Sequence, residues 1–149
     1  MKELDGTASV NVPAPIERCF ELLLDLDHYP DWYPDVVREA AVVERDADGW
    51  PVSERALLHV AVGPLVRDFR LTLAVESERP RTVRLTRVRH GPADREQFQV
   101  TWNLRERGGT QIDLALRASL SVPRLVPVTG IGNKLAQGFV NAAAGALRQ

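Results

Sequence analysis

Two arginines in one predicted strand have the side chains best suited to chemistry. Segment 82–90 alternates apolar and polar residues, and strict alternation would put Arg87 and Arg89 on the inward face. Inward guanidinium groups must be paired, hydrated or bound to a ligand, because burying an unpaired charge is costly. They could then orient ligand oxygens or stabilise a developing enolate. A bulge near Thr86 would instead turn Val88 inward and return both arginines to solvent.

His59 and Tyr33 are the candidates for proton transfer. Alternation leaves His59 on the outward face, so it is either a partly exposed surface histidine or a pocket acid/base. Tyr33 follows Trp32 after a short predicted helix, where both could line a cavity mouth or simply anchor the turn. His28, His59 and His90 lie on three different segments without ligand spacing. The sequence therefore predicts no metal site, and nothing in it indicates a cofactor.

Strands and short helices must position these side chains. Residues 7–12 form the first predicted strand, and two short helices follow at 15–24 and 28–32. From Val36 onward the hydrophobic period becomes two, and Asp-Gly, Gly-Pro and Gly-Gly pairs separate further strands. These strands are predicted at about 36–45, 53–62, 66–77, 82–90, 95–105 and 110–121. Such short connections favour antiparallel neighbours, since a parallel crossover needs about a dozen residues or more.

The C-terminal segment 129–149 is the long stretch with helical spacing and no proline. Ile131, Leu135 and Phe139 recur on one side, and small residues replace large ones further along it. This change of size can leave room for a cavity. Each later strand has one apolar and one polar face, so the helix is expected to cover the apolar face of the sheet. The predicted fold class is α+β, a curved antiparallel seven-stranded sheet wrapped around a long C-terminal helix.

Length and composition limit the possible classes of protein. A chain of 149 residues is most simply one domain, 1–149, and can bury a core unaided. A net charge of −1 gives no reason to expect nucleic acid as a partner. No run of about 18 apolar residues is present, and the amino end lacks a signal-peptide pattern, so we expect no stable membrane insertion and a cytoplasmic protein. The sequence leaves the oligomeric state open, a dimer included.

A proline-punctuated motif opens the first predicted helix. It consists of Val12-Pro13-Ala14-Pro15, then Ile16, Phe20, Leu22-Leu23 and Asp25, followed by Tyr29-Pro30 and Trp32. With the order of strand, two helices, strand meander and long helix, this motif resembles the START-like (SRPBCC, Bet v 1-like) superfamily. Within it, the chain looks like the polyketide cyclase/dehydrase and coenzyme Q-binding (lipid transport) branch. The resemblance covers residues 7–147. It implies a helix-grip fold that holds a hydrophobic small-molecule ligand between sheet and helix.

The inward faces and the predicted mouth supply the candidate ligand-binding residues. They are Trp32, Tyr33, Phe69, Leu71, Arg87, Phe98, Trp102, Leu116, Leu135 and Phe139. For most of them, packing in an ordinary core is the alternative. Phe98 and Trp102 are the better pocket candidates, because two large aromatic rings facing a helix rich in Gly and Ala need not close-pack.

Three functions are open at this point. The first is binding of a lipid, quinone or polyketide-like molecule. The second is an aromatase/cyclase that orients a poly-β-ketone chain, with Arg87 and Arg89 stabilising an enolate and His59 or Tyr33 moving protons. The third is a protein-interaction module of the ribosome-association toxin type that would use the outer sheet face. That face has mixed charge and no basic stripe, so this hypothesis ranks last.

Overall fold

An antiparallel sheet and a long C-terminal helix form the fold in the computed structural model, which describes residues 1–148. The strands are β1 (Lys2–Glu3), β2 (Gly6–Val12), β3 (Val37–Arg45), β4 (Pro51–Val62), β5 (Leu65–Glu78), β6 (Thr82–Arg87), β7 (Gln97–Glu106) and β8 (Thr110–Leu120). The helices are α1 (Ile16–Leu24), a 3-10 turn (Leu26–His28), α2 (Tyr29–Trp32) and α3 (Ile131–Leu147). The sheet order is β1-β8-β7-β6-β5-β4-β3, and β2 also pairs with β8. The predicted α+β helix-grip class is confirmed.

Strict alternation along the strands builds the core. In β5, Phe69, Leu71 and Leu73 are buried, while Arg70 between them is exposed. Each such side chain contributes roughly 1.5–3 kcal/mol when it leaves water. One apolar face per strand therefore fixes both the register of the sheet and the side on which α3 packs.

The predicted count of seven strands is wrong by one, because a short strand precedes the first one predicted. Lys2 pairs with Leu120 and Gly6 pairs with Leu116, so β1 and β2 follow the same edge of β8. Between them, the Asp5 carboxylate accepts a hydrogen bond from the backbone N–H of Ala118. This side-chain bond interrupts the ladder, and two residues of β1 are too few to show an alternating pattern.

The predicted strand 82–90 also ends early, at Arg87. Up to that residue the pairing of β6 with β5 and β7 is continuous, without a bulge near Thr86. Val88 is 43% exposed rather than turned inward. Asp94 stabilises the loop that follows, because its carboxylate accepts hydrogen bonds from the backbone N–H groups of His90 and Glu96. Residues 88–90 and 95–96, which were predicted to belong to strands, therefore lie in this loop.

Helix α3 lies close to the amino-terminal strands. A Cβ atom at Gly132 would overlap the backbone of Leu4 and Asp5, so glycine allows the first turn of α3 to approach the chain there. The buried side of α3 begins with Ile131, Leu135 and Phe139, as predicted. It continues through Val140, Ala143, Ala144 and Leu147. The sheet, α2 and α3 together enclose the space in which a site can form.

Candidate functional site

A small, mostly apolar cavity lies between the sheet and α3, beside α2. Its volume is about 30 Å³, enough to admit water but far below that of a pocket that holds a small molecule. It is lined by Tyr29, Val37, Ala40, Glu54, Ala56, Leu58, Leu73, Leu85, Phe98, Val100, Trp102 and Phe139. Three of the predicted ligand-binding residues line it, namely Phe98, Trp102 and Phe139.

Glu54 is the one carboxylic acid in the cavity wall. Its position in β4 puts it on the inward face together with Ala56 and Leu58, and the residue is only 4% exposed. Within residues 1–148 its carboxyl forms no hydrogen bond or ion pair, and its oxygens, unlike the Nε1 atoms of Trp32 and Trp102, keep some contact with accessible space. Buried carboxyl groups almost always have such a partner, so this one stands out in the core.

The surroundings of Glu54 favour its protonated form. Burial raises the pKa of Glu54 to about 8, and the nearby Asp27 carboxylate acts in the same direction. Burial also raises the pKa of Tyr29 well above its usual value, with the charge of Glu54 as the next cause. At neutral pH both groups are therefore mainly uncharged, and the carboxylic acid can donate or accept a proton.

Two tryptophans next to the cavity have indole N–H groups without an acceptor. The Nε1 atoms of Trp32 and Trp102 are buried and form no hydrogen bond within residues 1–148. The Trp102 indole lies near enough to the Tyr29 hydroxyl to oppose the rise in the pKa of Tyr29, but without the geometry of a hydrogen bond. That hydroxyl donates instead to the backbone oxygen of Leu23 at 2.6 Å. A buried donor left without a partner typically costs about 1–3 kcal/mol. Two indole N–H groups beside the cavity are thus left without an acceptor in the folded protein.

An aromatic cluster connects α2 to the cavity wall. Tyr33 packs edge-on against Phe139 with ring centroids 4.9 Å apart, and Phe139 packs against Trp102 at 6.3 Å. The Tyr33 hydroxyl occupies the space that a side chain at Gly138 would need. Tyr33 and Trp32 do not line the cavity themselves, but they cover the aromatic residues that do.

The remaining predicted pocket residues pack in the core outside the cavity. Phe69, Leu71, Leu116 and Leu135 are all buried, between 2% and 8% exposed, and none lines the cavity. The guanidinium of Arg67 stacks 4.3 Å above the Phe69 ring. In this structure their contacts are those of ordinary core side chains.

Arg87 and Arg89 do not line the cavity, and both line an open surface groove instead. The Arg87 side chain is only 7% exposed and forms an ion pair with Asp94, with 2.8 Å between Nη2 and Oδ2. It also donates to the backbone oxygen of Glu96. Hydrogen bonding from Arg87 holds the pKa of Asp94 well below its usual range. Arg89 lies in the loop beyond β6 and is exposed. The structure therefore keeps Arg87 on the inward side of β6 and pairs it within the chain.

His59 lies on the outer face of the sheet, where alternation predicts it. Its Nδ1 atom is 2.6 Å from Oδ1 of Asp68, the residue directly opposite on β5. This pair is partly exposed to solvent and does not reach the cavity. Within residues 1–148, no group of three or more His, Cys, Asp or Glu side chains has the arrangement of a metal site.

The surface grooves are larger than the cavity and open to solvent. The largest of those within residues 1–148, about 420 Å³, is lined by Arg87, Arg89 and Phe98 together with polar residues of β7 and β8. Another, about 390 Å³, lies between α1 and the β3–β4 hairpin and includes Trp50 and Arg79. Arg79 spans this groove: its guanidinium pairs with Glu17 and Glu21 and lies 5.6 Å from the ring centroids of Phe20 and Trp50. The charge of Arg79 is thus compensated within the chain, as is that of Arg87 in the larger groove, so the smaller interior cavity is the better candidate site.

Comparison with known proteins identifies the family and the fold. The model of the family described as polyketide cyclase/dehydrase and lipid transport matches residues 4–149. A START superfamily protein from Mycobacterium smegmatis is 18% identical with a TM-score of 0.77, and the match covers 97% of each chain. A protein from Thermus thermophilus is also 18% identical, with a TM-score of 0.74 and 97% of each chain covered. The Zhui aromatase/cyclase from Streptomyces sp. R1128 is 17% identical with a TM-score of 0.63, over 99% of this chain and 94% of that one. No curated protein matches the sequence.

Proposed function

Because this chain belongs to the polyketide cyclase/dehydrase and lipid transport family, we propose that it binds an apolar small molecule in the cavity between the sheet and α3. The observation that carries the proposal is the unpartnered carboxyl of Glu54 in an otherwise apolar wall. A leucine at this position would fill the same space without the cost of desolvating a carboxyl group. Stability alone does not explain the residue, whereas a ligand that contacts it does.

Binding requires the cavity to enlarge. Pockets that hold small molecules usually measure about 300–1,000 Å³, whereas this cavity has about 30 Å³. The covering aromatic side chains are the groups that must move, since Tyr33 packs on Phe139 and Phe139 forms part of the wall. In the proposal, α2 and α3 separate at this contact when the ligand enters, and the structure corresponds to the closed state.

A cavity-filling variant tests the proposal. Ala56 lines the cavity, and Ala56→Val would add two carbon atoms to its wall and reduce the free space there. Ala118→Val is the matched control, because Ala118 is also a buried strand alanine but does not line the cavity. Titration with the neutral fluorescent probe N-phenyl-1-naphthylamine should show binding by the wild type and the control and a several-fold loss in Ala56→Val. Equal binding by all three proteins would place the probe elsewhere and refute the proposal.

A second candidate function is aldol-type cyclisation with dehydration, and the protonation state of Glu54 favours it. A carboxyl group whose pKa is about 8 can take a proton from carbon and return it to a leaving hydroxyl near neutral pH. In this version Glu54 takes the acid/base role, because His59, Arg87 and Arg89 do not line the cavity. Glu54→Gln would then bind ligand but form no cyclised product from a β-ketone substrate, and unchanged product formation would exclude this role.

A further inference from the structure

Few polar side chains line the cavity, and they differ in whether they already form a hydrogen bond. Only Tyr29, Glu54 and Trp102 among the lining residues carry polar side-chain atoms. The Tyr29 proton is already used in the bond to the Leu23 oxygen. The indole N–H of Trp102 has no acceptor, and Glu54 has no partner. The protonated Glu54 is thus a free donor in the cavity wall, and the Trp102 N–H, buried beside the Tyr29 hydroxyl, is a second donor that an enlarged cavity can expose.

The charges around the cavity exclude an anionic ligand. None of the residues that line it is Lys or Arg, so a bound carboxylate or sulfonate would have no compensating cation. The titratable groups that act on Glu54 are Tyr29 from α2 and Asp27 from the 3-10 turn. Strands β3, β5, β6 and β7 and helix α3 contribute only uncharged side chains. A second negative charge would thus be buried near carboxyl groups.

We propose that Glu54 and Trp102 select the ligand by donating hydrogen bonds to a neutral oxygen acceptor, such as a carbonyl oxygen. This inference rests on the proposed function and adds the polarity that the ligand must have. The protonated Glu54 and the indole N–H form no hydrogen bond within residues 1–148, and acceptor oxygens on a neutral ligand would satisfy them without placing a net charge in the core. A cationic amine would require Glu54 to ionise first, and an apolar group would leave both donors unsatisfied.

Four naphthalene probes of nearly equal shape test this selection. They are 2-acetylnaphthalene, 2-ethylnaphthalene, 2-(aminomethyl)naphthalene and 2-naphthoate, and each is measured by its displacement of N-phenyl-1-naphthylamine. We expect the wild type at pH 7 to bind the acetyl probe most tightly. The substitution Glu54→Leu should lower the ratio of the affinities for the acetyl and ethyl probes by about tenfold, because it removes one buried donor. Trp102→Phe should lower the same ratio in the same direction.

The pH dependence of affinity distinguishes a ligand that accepts a hydrogen bond from a cationic ligand. Affinity for the acetyl probe should fall above about pH 8, because the ionised Glu54 carboxylate repels an acceptor oxygen. In Glu54→Gln the amide N–H still donates, so the acetyl preference should persist without the fall at high pH. Tightest binding of the amine, with affinity that rises with pH, would overturn the inference. Equal affinities for the acetyl and ethyl probes would also overturn it but would leave the proposed function intact. If none of the four probes and no N-phenyl-1-naphthylamine bind, the proposed function itself fails.

Discussion

The protonation of Glu54 predicts that the protein loses stability as the pH rises. The native state raises the pKa of Glu54 from its ordinary 4.5 to about 8, whereas the unfolded chain ionises this group at the ordinary value. Between these two values the native protein therefore binds one more proton than the unfolded chain. The favourable contribution is complete below about pH 4.5 and is lost progressively as the pH rises towards 8.

The size of the effect follows from the same two values. One excess proton corresponds to about 1.4 kcal/mol of unfolding free energy for each pH unit. Between pH 5.0 and 7.5 the contribution of Glu54 should thus decrease by about 3 kcal/mol. Such a loss is large compared with a total stability of about 5–15 kcal/mol for a typical domain.

Urea unfolding followed by tryptophan fluorescence measures this loss. Other groups titrate in the same range, so the informative quantity is the difference between the wild type and Glu54→Gln at each pH. That difference should change by about 3 kcal/mol from pH 5.0 to 7.5, with the wild type losing more. Glu39→Gln is the control, because Glu39 is exposed on β3 and its removal should leave the slope unchanged.

A constant difference would refute this reasoning. If wild type and Glu54→Gln unfold in parallel across the pH range, Glu54 has an ordinary pKa and its carboxyl is hydrated or paired in solution. The cavity would then contain a charged group, and selection of a neutral acceptor through a protonated Glu54 would lose its basis.

The remaining predictions concern the cover of the cavity and the β6–β7 loop. Gly138→Ala should lower the thermal unfolding midpoint, because the new Cβ would overlap the Tyr33 hydroxyl. Gly145→Ala has open space around the new Cβ and should raise the unfolding free energy by up to about 1 kcal/mol. Equal gains for both would show that the Tyr33 side chain moves aside without cost. Arg87→Met should speed hydrogen exchange in the β6–β7 loop by removing its buried ion pair, and exposed Arg89→Met should not. Unchanged exchange in Arg87→Met would mean that the ion pair does not hold the loop.

The architecture could be predicted because period-two patterns are long in this chain. Strands β5 and β8 each alternate over more than ten residues, which fixes their faces without tertiary information. Local side-chain bonds were not predictable in the same way. The Asp94 carboxylate organises the loop after Arg87, and the Asp5 carboxylate interrupts the ladder beside β8. Both depend on which backbone groups come close after folding.

The candidate site was predicted only in part. Phe98, Trp102 and Phe139 line the cavity, and the inward direction of Arg87 also follows from alternation. The ion pair that occupies Arg87 involves a loop residue seven positions away, which periodicity does not reveal. Glu54 was missed although the signal was present, because the inward series of Ala56, Leu58 and Val60 extends back by two positions to Glu54. The alternation that placed Arg87 inward therefore places Glu54 inward as well.

Ligand binding between the sheet and α3 is tested most directly by methyl NMR during titration with 2-acetylnaphthalene. The cavity wall contains the methyl groups of Ala56, Leu73, Leu85 and Val100, which belong to four different strands. We predict that the largest saturable shifts occur at these methyl groups together. Shifts confined to methyl groups of the surface grooves, such as those of Leu24 at the end of α1, with the cavity methyl groups unchanged, would contradict binding in the cavity.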